Sequence, residues 1–380
     1  MNRRLFLKTT GIALAGTALT PNIFAKMAAA SNTRGKKTLV AIFQRGAVDG
    51  LNMIVPYGES AYYSARPSIA VAKKDVLDLD GFFGAHPSLQ SLLPFWKDRS
   101  LAIVHAAGSP DSTRSHFDAQ DFMESGTPGI KSTQDGFLSR ALASQKNEAP
   151  VRAVAMSQAP PRILSGSNAI ATTDIHAYAN SPAARVFGSM YPESFDAVQV
   201  LRSLKGTNAV DYPRTPLANS LKQIAQLIKS DVGLEVAFAD VSGWDTHAGE
   251  GGTQGQLANN LRNFAEAIAA FAKDLGSRMS DVVLVTMSEF GRTVRENGNR
   301  GTDHGHATAM LLLGGNVRGG KVHGRWPGLK DLYEGRDLAV TTDFRDVFGE
   351  VLHKHLAVPS LASVFPRYGV KPPGLWSGGL

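Results

Sequence analysis

A short apolar run in the carboxyl-terminal part of the chain restricts the fold more than any other segment. Val282–Met287 is apolar or small and rich in β-branched residues, and it is too short for a helix. This pattern is typical of a strand buried on both faces of a parallel sheet. Glu289 follows the run almost directly, with Gly291 after it. Because open α/β sheets bind ligands at the carboxyl ends of their strands, Glu289 is a candidate site residue.

Similar apolar runs alternate with amphipathic segments along the chain. We predict further strands at 38–43, 101–105, 151–156, 234–241 and 308–313, and helices ending near 124 and covering 217–230, 254–275 and 344–356. This alternation predicts one α/β domain, over residues 31–380, with a doubly wound, mainly parallel sheet flanked by helices. The segment at about 158–216 is rich in Pro, Ser, Asn and Thr. We expect it to be an irregular insertion that covers one edge of the sheet, with its own helix near 195–204.

Acidic, hydroxyl and imidazole side chains follow several predicted strands or begin a helix beside one. They are Asp49, Ser112, Ser115, His116, Asp245, His247, Glu289, Asp303, His304 and His306. The carboxyl ends of parallel strands meet at one edge of a sheet, so these residues are expected to converge there. His304 and His306 are two apart, and in an extended backbone their rings would point the same way. Taken singly, each residue also has a structural use: Asp49 suits a turn, and Ser112 or Ser115 suits a helix cap.

The chain has no cysteine, which restricts the chemistry of this predicted site. Disulfides, a thiol nucleophile and cysteine metal ligands are excluded. Carboxylate oxygens and imidazole nitrogens remain, and they suit a divalent ion such as zinc, calcium, magnesium or manganese. A hydroxyl activated by such a metal could attack phosphorus or sulfur.

The first thirty residues differ from the rest of the chain. Arg3 and Arg4 precede Leu-Phe-Leu-Lys, an apolar segment follows, and 28–30 is Ala-Ala-Ala. This predicts a twin-arginine signal peptide over residues 1–30, recognised by the twin-arginine translocase, with cleavage after Ala30 or after Ala25 and a periplasmic or secreted product. Removal of the segment lowers the formal charge from +7 to +3, which weakens any argument for a nucleic-acid partner. No later apolar run is long enough for a membrane anchor.

Five segments resemble the motifs of a bacterial family known as domain of unknown function 1501. They are LVAIFQRGAVDGLNMIVP, SHFDAQDFMESGTPG, GWDTH, SEFGRT and GTDHGHA, and they extend over nearly all of the chain after residue 30. That family is regarded as related to the alkaline phosphatase and sulfatase superfamily. The resemblance implies an alkaline phosphatase-like fold.

The resemblance also suggests roles for individual residues. Asp49, Asp245 and His247 match metal ligands of the superfamily, Glu289 stands at another ligand position, and His304 or His306 would supply a later histidine. Ser112 would be the nucleophile, with Ser115 as the competing choice and His116 and His306 as further catalytic residues.

Two departures from the superfamily pattern leave the function open. Phe290 stands where the superfamily has a histidine ligand, and Asp245 and His247 are only two apart. Three functions are therefore compatible with the sequence. They are a metal-dependent hydrolase acting on a small or polymeric phosphate or sulfate ester, a non-catalytic binding or assembly protein, and another chemistry, such as an oxidoreductase, at a remodelled metal site.

Overall fold

The computed structural model describes residues 37–145, 147, 149–182, 184, 192–204 and 210–376, with the side chains of 192–195 left out. The predicted signal peptide lies outside the described residues. Within them, no helix is both long enough and apolar enough to cross a membrane.

The described residues contain twelve strands in two sheets. They are β1 (Thr38–Gln44), β2 (Ile54–Val55), β3 (Leu77–Asp78), β4 (Gly84–Ala85), β5 (Leu101–Gly108), β6 (Ala153–Met156), β7 (Ile170–Ala171), β8 (Val236–Val241), β9 (Val282–Met287), β10 (Thr308–Gly314), β11 (Lys321–His323) and β12 (Thr342–Asp343). The large sheet has the order β11-β5-β10-β9-β1-β8-β6-β7, with β12 beside β5, and the small sheet has the order β2-β4-β3.

The large sheet is mainly parallel, as the apolar runs predict. β1 lies at its centre and pairs in parallel with β8 and with β9. Every residue of β1 and β9 is buried, which explains their continuous apolar sequences. β10 departs from the expected direction, because it runs antiparallel to both β5 and β9.

The direction of β10 brings the segment before it to the site edge. An antiparallel strand begins where its parallel neighbours end, so residues 303–306 lie at the carboxyl ends of the other strands. The whole loop from β9 to β10 therefore leaves and returns at one edge of the sheet. The sequence pattern gave no sign of this reversal.

Eleven α-helices are described. They are α1 (Gly50–Met53), α2 (Ser60–Ala65), α3 (Leu93–Lys97), α4 (His116–Ser125), α5 (Phe137–Ala143), α6 (Ile175–Asn180), α7 (Pro192–Ser203), α8 (Pro216–Lys229), α9 (Gln256–Leu275), α10 (Phe344–Lys354) and α11 (Leu361–Val364). Three 3₁₀ helices lie at Pro87–Leu92, Arg162–Leu164 and Gly276–Asp281.

The helices lie on both faces of the large sheet. α6, α7, α8 and α9 pack on the face that presents Val40 and Ile42 of β1. α4, α5, α10 and α11 pack on the opposite face, which presents Leu39 and Phe43. The alternation of β1 side chains between two cores follows from the period of two in a strand. The doubly wound α/β class predicted from the sequence is therefore confirmed.

The described part of the segment at 158–216 is more regular than its composition suggests. It contains α7, where a helix is expected near 195–204, and in addition α6 and β7. β7 adds a strand to the edge of the sheet beside β6. α6 begins at a cap in which the Asp174 side chain accepts from two backbone N–H groups. The polar residues that suggest an irregular region therefore serve partly as helix caps.

Candidate metal centre

The side chain of Asp245, just after β8, lies within reach of three imidazole rings. Its Oδ1 is 3.0 Å from Nε2 of His247 and 3.2 Å from Nε2 of His304, and its Oδ2 is 3.6 Å from Nε2 of His116. The Nε2 of His304 is itself 3.0 Å from the Nε2 atoms of both other rings. The loop after β8, the loop before β10 and the start of α4 thus converge on one cluster, which we call the His–Asp cluster.

The other ring nitrogen of each histidine faces a hydrogen-bond acceptor. Nδ1 of His116 donates to Glu289 Oε1 at 2.8 Å, and Nδ1 of His247 donates to Asp303 Oδ1 at 3.0 Å. Nδ1 of His304 donates to the carbonyl oxygen of Arg114 at 2.9 Å. A neutral imidazole carries only one N–H, so each Nε2 is left as a lone pair directed into the cluster.

Converging lone pairs require a cation between them, either a proton or a metal ion. Metal-binding histidines characteristically donate their second ring nitrogen to a carboxylate or carbonyl oxygen, which is the arrangement found here. Zinc bonds of 2.0–2.1 Å in a tetrahedron separate neighbouring ligand atoms by about 3.3 Å. The spacings of 3.0, 3.2 and 3.6 Å in the cluster surround this value. His116, Asp245 and His304 thus have the chemistry and the spacing of a metal site.

Arg292 anchors the carboxylate of the cluster. Its guanidinium is fully buried and donates to Asp245 Oδ1 at 2.6 Å, and it also donates to Thr302. Burial raises the pKa of the Asp245 carboxyl, but the hydrogen bond and charge of Arg292 outweigh it, so the pKa is lowered. Asp245 therefore remains ionised and available as an oxygen ligand.

Two rings of the cluster differ in their affinity for protons. The hydrogen bond to Glu289 is the main cause of a raised pKa of His116, against an opposing effect of burial. Burial is the main cause of a lowered pKa of His304. His116 therefore holds a proton to higher pH than an ordinary histidine, whereas His304 is neutral over a wider range.

Glu289 lies behind the cluster. Its carboxylate is buried, and Oε1 accepts from the backbone N–H of Gly46 at 2.8 Å and from Gln120 Nε2 at 2.9 Å, besides His116. Burial raises the pKa of Glu289, but these hydrogen bonds lower it below the usual value. In this arrangement the carboxylate orients His116.

The Phe290 side chain packs against the imidazole rings of His116 and His304. It is buried, stacks on His116 at 5.0 Å between ring centroids, and lies 5.1 Å from the His304 ring. Its aromatic ring therefore fills space beneath two imidazoles. The imidazole that stacks on this ring is that of His116, which reaches the cluster from α4.

Two glycines allow the loops to approach closely. Gly46 has φ +114°, and a Cβ there would lie 2.7 Å from the backbone nitrogen of Asp245. A Cβ on Gly305 would lie 2.3 Å from the carbonyl carbon of Arg292. Both distances are shorter than real Cβ contacts, so these loops pack together only with glycine at these positions.

Asp49 lies away from the His–Asp cluster in a buried ion pair. Its carboxylate accepts from Arg66 at 2.5 and 3.0 Å, and Oδ1 also accepts from the backbone N–H of Leu51 at the start of α1. Burial raises the pKa of Asp49, but the charge of Arg66 and the hydrogen bonds from Arg66 and Glu250 together lower it below its usual value. Burial and the charge of Asp49 raise the pKa of Glu250 well above its usual value. The carboxylate predicted as a metal ligand is thus paired with a guanidinium.

The two candidate serines lie on the segment that enters α4. Both side chains are exposed. The Ser115 hydroxyl accepts from the backbone N–H of Asp118 at 3.4 Å and caps the helix. Arg114, whose carbonyl oxygen accepts from His304, lies between the two serines, so both are close in sequence to the cluster.

His306 lies apart from His304, and the expectation that the two rings point the same way is wrong. Its Nε2 donates to the carbonyl oxygen of Ser109 at 3.0 Å, and its ring packs against Tyr333. The backbone there makes only an isolated bridge at His304 and a bend at His306. Strand alternation does not apply to such a loop.

Three residues around the cluster had no role assigned from the sequence, although Asp303 was already among the candidates. They are the orienting carboxylate of Asp303, the guanidinium of Arg292 and the amide of Gln120. Asp303 and Arg292 stand inside the motifs GTDHGHA and SEFGRT. Gln120 lies four residues after His116 on α4, a spacing that places both on one face of the helix, and this is the only signal that could have found it.

Comparison with known proteins gives a family model that matches part of the chain and solved structures that have a similar fold. The model of the family described as "Protein of unknown function (DUF1501)" matches residues 197–362. The resemblance to the DUF1501 family is confirmed. The match includes Asp245, His247, Glu289, His304 and His306. The comparison with curated proteins found no match.

Three solved structures illustrate the likeness of fold. The chain is similar to the C-terminal periplasmic domain of EcEptC from Escherichia coli in complex with Zn, at 13% identity, with 74% of each chain covered and a TM-score of 0.40. It is similar to the PsFucS1 sulfatase from Pseudoalteromonas sp., at 9% identity, with 89% of this chain and 71% of that chain covered and a TM-score of 0.40. It is also similar to a protein in the alkaline phosphatase superfamily from Vibrio parahaemolyticus, at 11% identity, with 78% and 69% covered and a TM-score of 0.35. At these scores the likeness concerns the overall α/β fold and says nothing about the site.

Proposed function

We propose that this protein is a metal-dependent hydrolase of phosphate or sulfate esters, with its centre at the His–Asp cluster. The observation that carries the proposal is the convergence of three Nε2 lone pairs on the Asp245 carboxylate, while each Nδ1 donates to an acceptor. Asp245, His116, His247 and His304 would hold the ion. A divalent metal bound there would polarise an ester oxygen and make a bound water more acidic.

The residues around the cluster suit an anionic ester. The first turn of α4 begins at His116, and its backbone N–H groups favour a negative charge beside the cluster. Arg292 keeps Asp245 ionised and in place. The rings are only partly exposed, with side-chain exposures of 24% for His116, 23% for His304 and 44% for His247, so an ester could reach them from one side.

The attacking group is either water or a serine hydroxyl on the segment before α4. Ser115 already caps the helix through its hydroxyl. Ser112 is exposed and stands four residues before His116. We therefore favour Ser112 of the two serines as the attacking group.

The test is metal analysis followed by ester turnover. Protein purified without chelator should contain a divalent metal or show a rise in melting temperature when zinc or manganese is added, and it should hydrolyse an aryl phosphate or an aryl sulfate. His304→Asn should weaken metal binding by about 100-fold or more, because it removes the central ring. The matched control is His176→Asn, the same change at an exposed histidine of α6.

The outcomes separate the candidate functions. Absence of metal, together with no thermal shift on adding one, would remove the metal from the proposal. Tight metal binding without turnover of any ester would favour a non-catalytic binding protein or a different chemistry at the same ion.

We further propose that the chain is exported by the twin-arginine route. The paired Arg3 and Arg4 before an apolar segment support this. Replacing both arginines with lysine should leave folded protein in the cytoplasm, as measured by fractionation of cells. Normal export of the double variant would contradict the proposal.

A further inference from the structure

A chain of hydrogen bonds runs behind His116 from the end of β1. The Arg45 guanidinium donates through one terminal nitrogen to Gln120 Oε1 at 2.8 Å, and Gln120 Nε2 donates to Glu289 Oε1 at 2.9 Å. Glu289 Oε1 in turn accepts from His116 Nδ1 at 2.8 Å. The chain joins the loop after β1, the helix α4 and the loop after β9.

The donors and acceptors along this chain of hydrogen bonds can be arranged in only one way. A guanidinium has donors only and an ionised carboxylate has acceptors only, so the amide of Gln120 must turn its oxygen to Arg45 and its nitrogen to Glu289. Arg45 is itself held in place by Asp240 at 2.6 Å and by Glu124 at 2.9 Å. The amide orientation is therefore fixed by charges on both sides of it.

Glu289 ends the chain as a hydrogen-bond acceptor. Its role as an acceptor places the proton of a neutral His116 on Nδ1. With donors from Gln120 and from the backbone of Gly46 on the same oxygen, Glu289 Oε1 is an acceptor toward Nδ1 of His116. A neutral ring that donates from Nδ1 has its lone pair on Nε2. That nitrogen faces His304 and Asp245 at 3.0 and 3.6 Å.

We propose that Gln120, oriented by Arg45, is a positioning residue that keeps the proton of His116 on Nδ1 and so leaves Nε2 as a metal ligand. The inference rests on the metal centre of the proposed function. It extends that proposal, because the ability of His116 to bind the metal would depend on Gln120 and Arg45, which do not touch the metal. Neither residue belongs to the His–Asp cluster.

The direct test is the tautomer of His116 in the metal-free protein. A two-bond proton–nitrogen NMR correlation at about pH 8, where an ordinary histidine is neutral, distinguishes Nδ1–H from Nε2–H rings. Wild-type protein should show His116 as the Nδ1–H form. Gln120→Glu places a carboxylate oxygen against Glu289 Oε1, so one proton must lie between the two oxygens and the acceptor for Nδ1–H is weakened. The Nε2–H form should then become populated.

Metal affinity provides the second readout. Zinc dissociation constants from competition titration should rise by about 10–100-fold in Gln120→Glu, the usual effect of losing an outer partner of a ligand. Gln120→Leu removes the donor without adding an acceptor, so it should fall between wild type and Gln120→Glu. If Gln120→Glu does not fold, Gln120→Leu can replace it in the test. The matched control is Gln90→Glu, the same change at an exposed position of the 3₁₀ helix over Pro87–Leu92, and it should change neither readout.

The result that overturns the inference is an unchanged His116 tautomer in the folded Gln120 variants, with zinc dissociation constants within about twofold of Gln90→Glu. The tautomer is measured without metal or substrate. A wild-type protein that binds no metal would therefore contradict the proposed function, while the effect of Gln120 on the tautomer would still be decided by the spectrum.

Discussion

His116 and His304 touch each other through Nε2, yet their environments shift their proton affinities in opposite directions. His116 faces an ionised carboxylate through its other nitrogen, whereas His304 faces a backbone carbonyl. The hydrogen bond to Glu289 raises the pKa of His116, and burial lowers the pKa of His304. Protons and metal compete for the same lone pairs, so His116 limits metal binding at mildly acidic pH.

We predict that metal affinity falls as the pH drops through the raised pKa of His116. A raised pKa means that His116 takes up its proton above the ordinary histidine value of about 6.5, and the protonated ring cannot bind metal. Zinc affinity, measured by isothermal titration, should fall between about pH 8 and about pH 6 by more than the roughly fourfold loss that an ordinary histidine pKa of about 6.5 would cause. In Glu289→Gln, the neutral amide raises the pKa of His116 less, so the decline should begin at lower pH. An identical pH dependence in both proteins would contradict the assignment.

The serines before α4 provide a second prediction at the scale of single residues. Ser115→Ala removes the helix cap and should lower the free energy of unfolding by about 1 kcal/mol. Ser112→Ala should leave stability unchanged, since its side chain is exposed. If Ser112 is the nucleophile, its loss should lower ester turnover by about 100-fold or more, while Ser115→Ala should not. Equal turnover in both variants and wild type would assign the attack to water.

At the scale of elements, the sequence predicts strands and helices well and strand direction poorly. Val282–Met287 and Thr308–Gly314 both read as buried strands and are buried strands, but only the first runs with the main direction of the sheet. A continuous apolar sequence indicates that a strand is buried on both faces. In a sheet with helices on both faces, it does not distinguish a parallel strand from an antiparallel one. The candidate residues after the strand ends still converge, because the reversed β10 starts at the edge where the others end.

The loop after β1 depends on one glycine, which gives a prediction at the same scale. Gly46→Ala should lower the free energy of unfolding by roughly 1–2 kcal/mol for its left-handed backbone and by a further 1–3 kcal/mol for the contact with Asp245. It should also weaken zinc binding, because Asp245 must move. The control is Gly81→Ala, at a glycine that also has positive φ but has open space around its Cβ position. Chemical denaturation of both variants isolates the contact, and equal losses would mean that the close approach has no energetic consequence.

At the scale of the whole molecule, the buried polar groups connect segments that are distant in sequence. Asp49 follows the first strand, and its position just beyond a strand end made it a candidate ligand. The residue that pairs with it, Arg66, lies in a segment without any motif, so no spacing rule indicates the pair. Sequence patterns report local structure and the edge at which strands end. They do not show that a carboxylate at that edge, such as Asp49, pairs with a guanidinium from another segment, such as Arg66.

Arg66 is the residue on which we expect this part of the molecule to depend most. Its side chain has no exposed surface, and besides Asp49 it donates to Asn52 and to the carbonyl oxygens of Thr293 and Val294. One guanidinium therefore joins α1 to the loop between β9 and β10, immediately after the Arg292 that holds Asp245. Removing one member of a buried ion pair leaves the other charge without compensation, at a typical cost of 3–5 kcal/mol.

Arg66→Met should accordingly lower the free energy of unfolding by about 3–5 kcal/mol, measured by urea denaturation of the metal-free protein. Arg262→Met is the matched control, because Arg262 is exposed on α9 and hydrogen-bonds only Asn259 among the contacts described for it, so its loss should change stability by less than about 0.5 kcal/mol. Asp49→Asn should restore part of the loss when combined with Arg66→Met, since the neutral amide no longer leaves a buried charge unpaired. A double variant as unstable as the sum of the two single variants would mean that the two groups act independently, and that the ion pair does not hold the loop behind the His–Asp cluster.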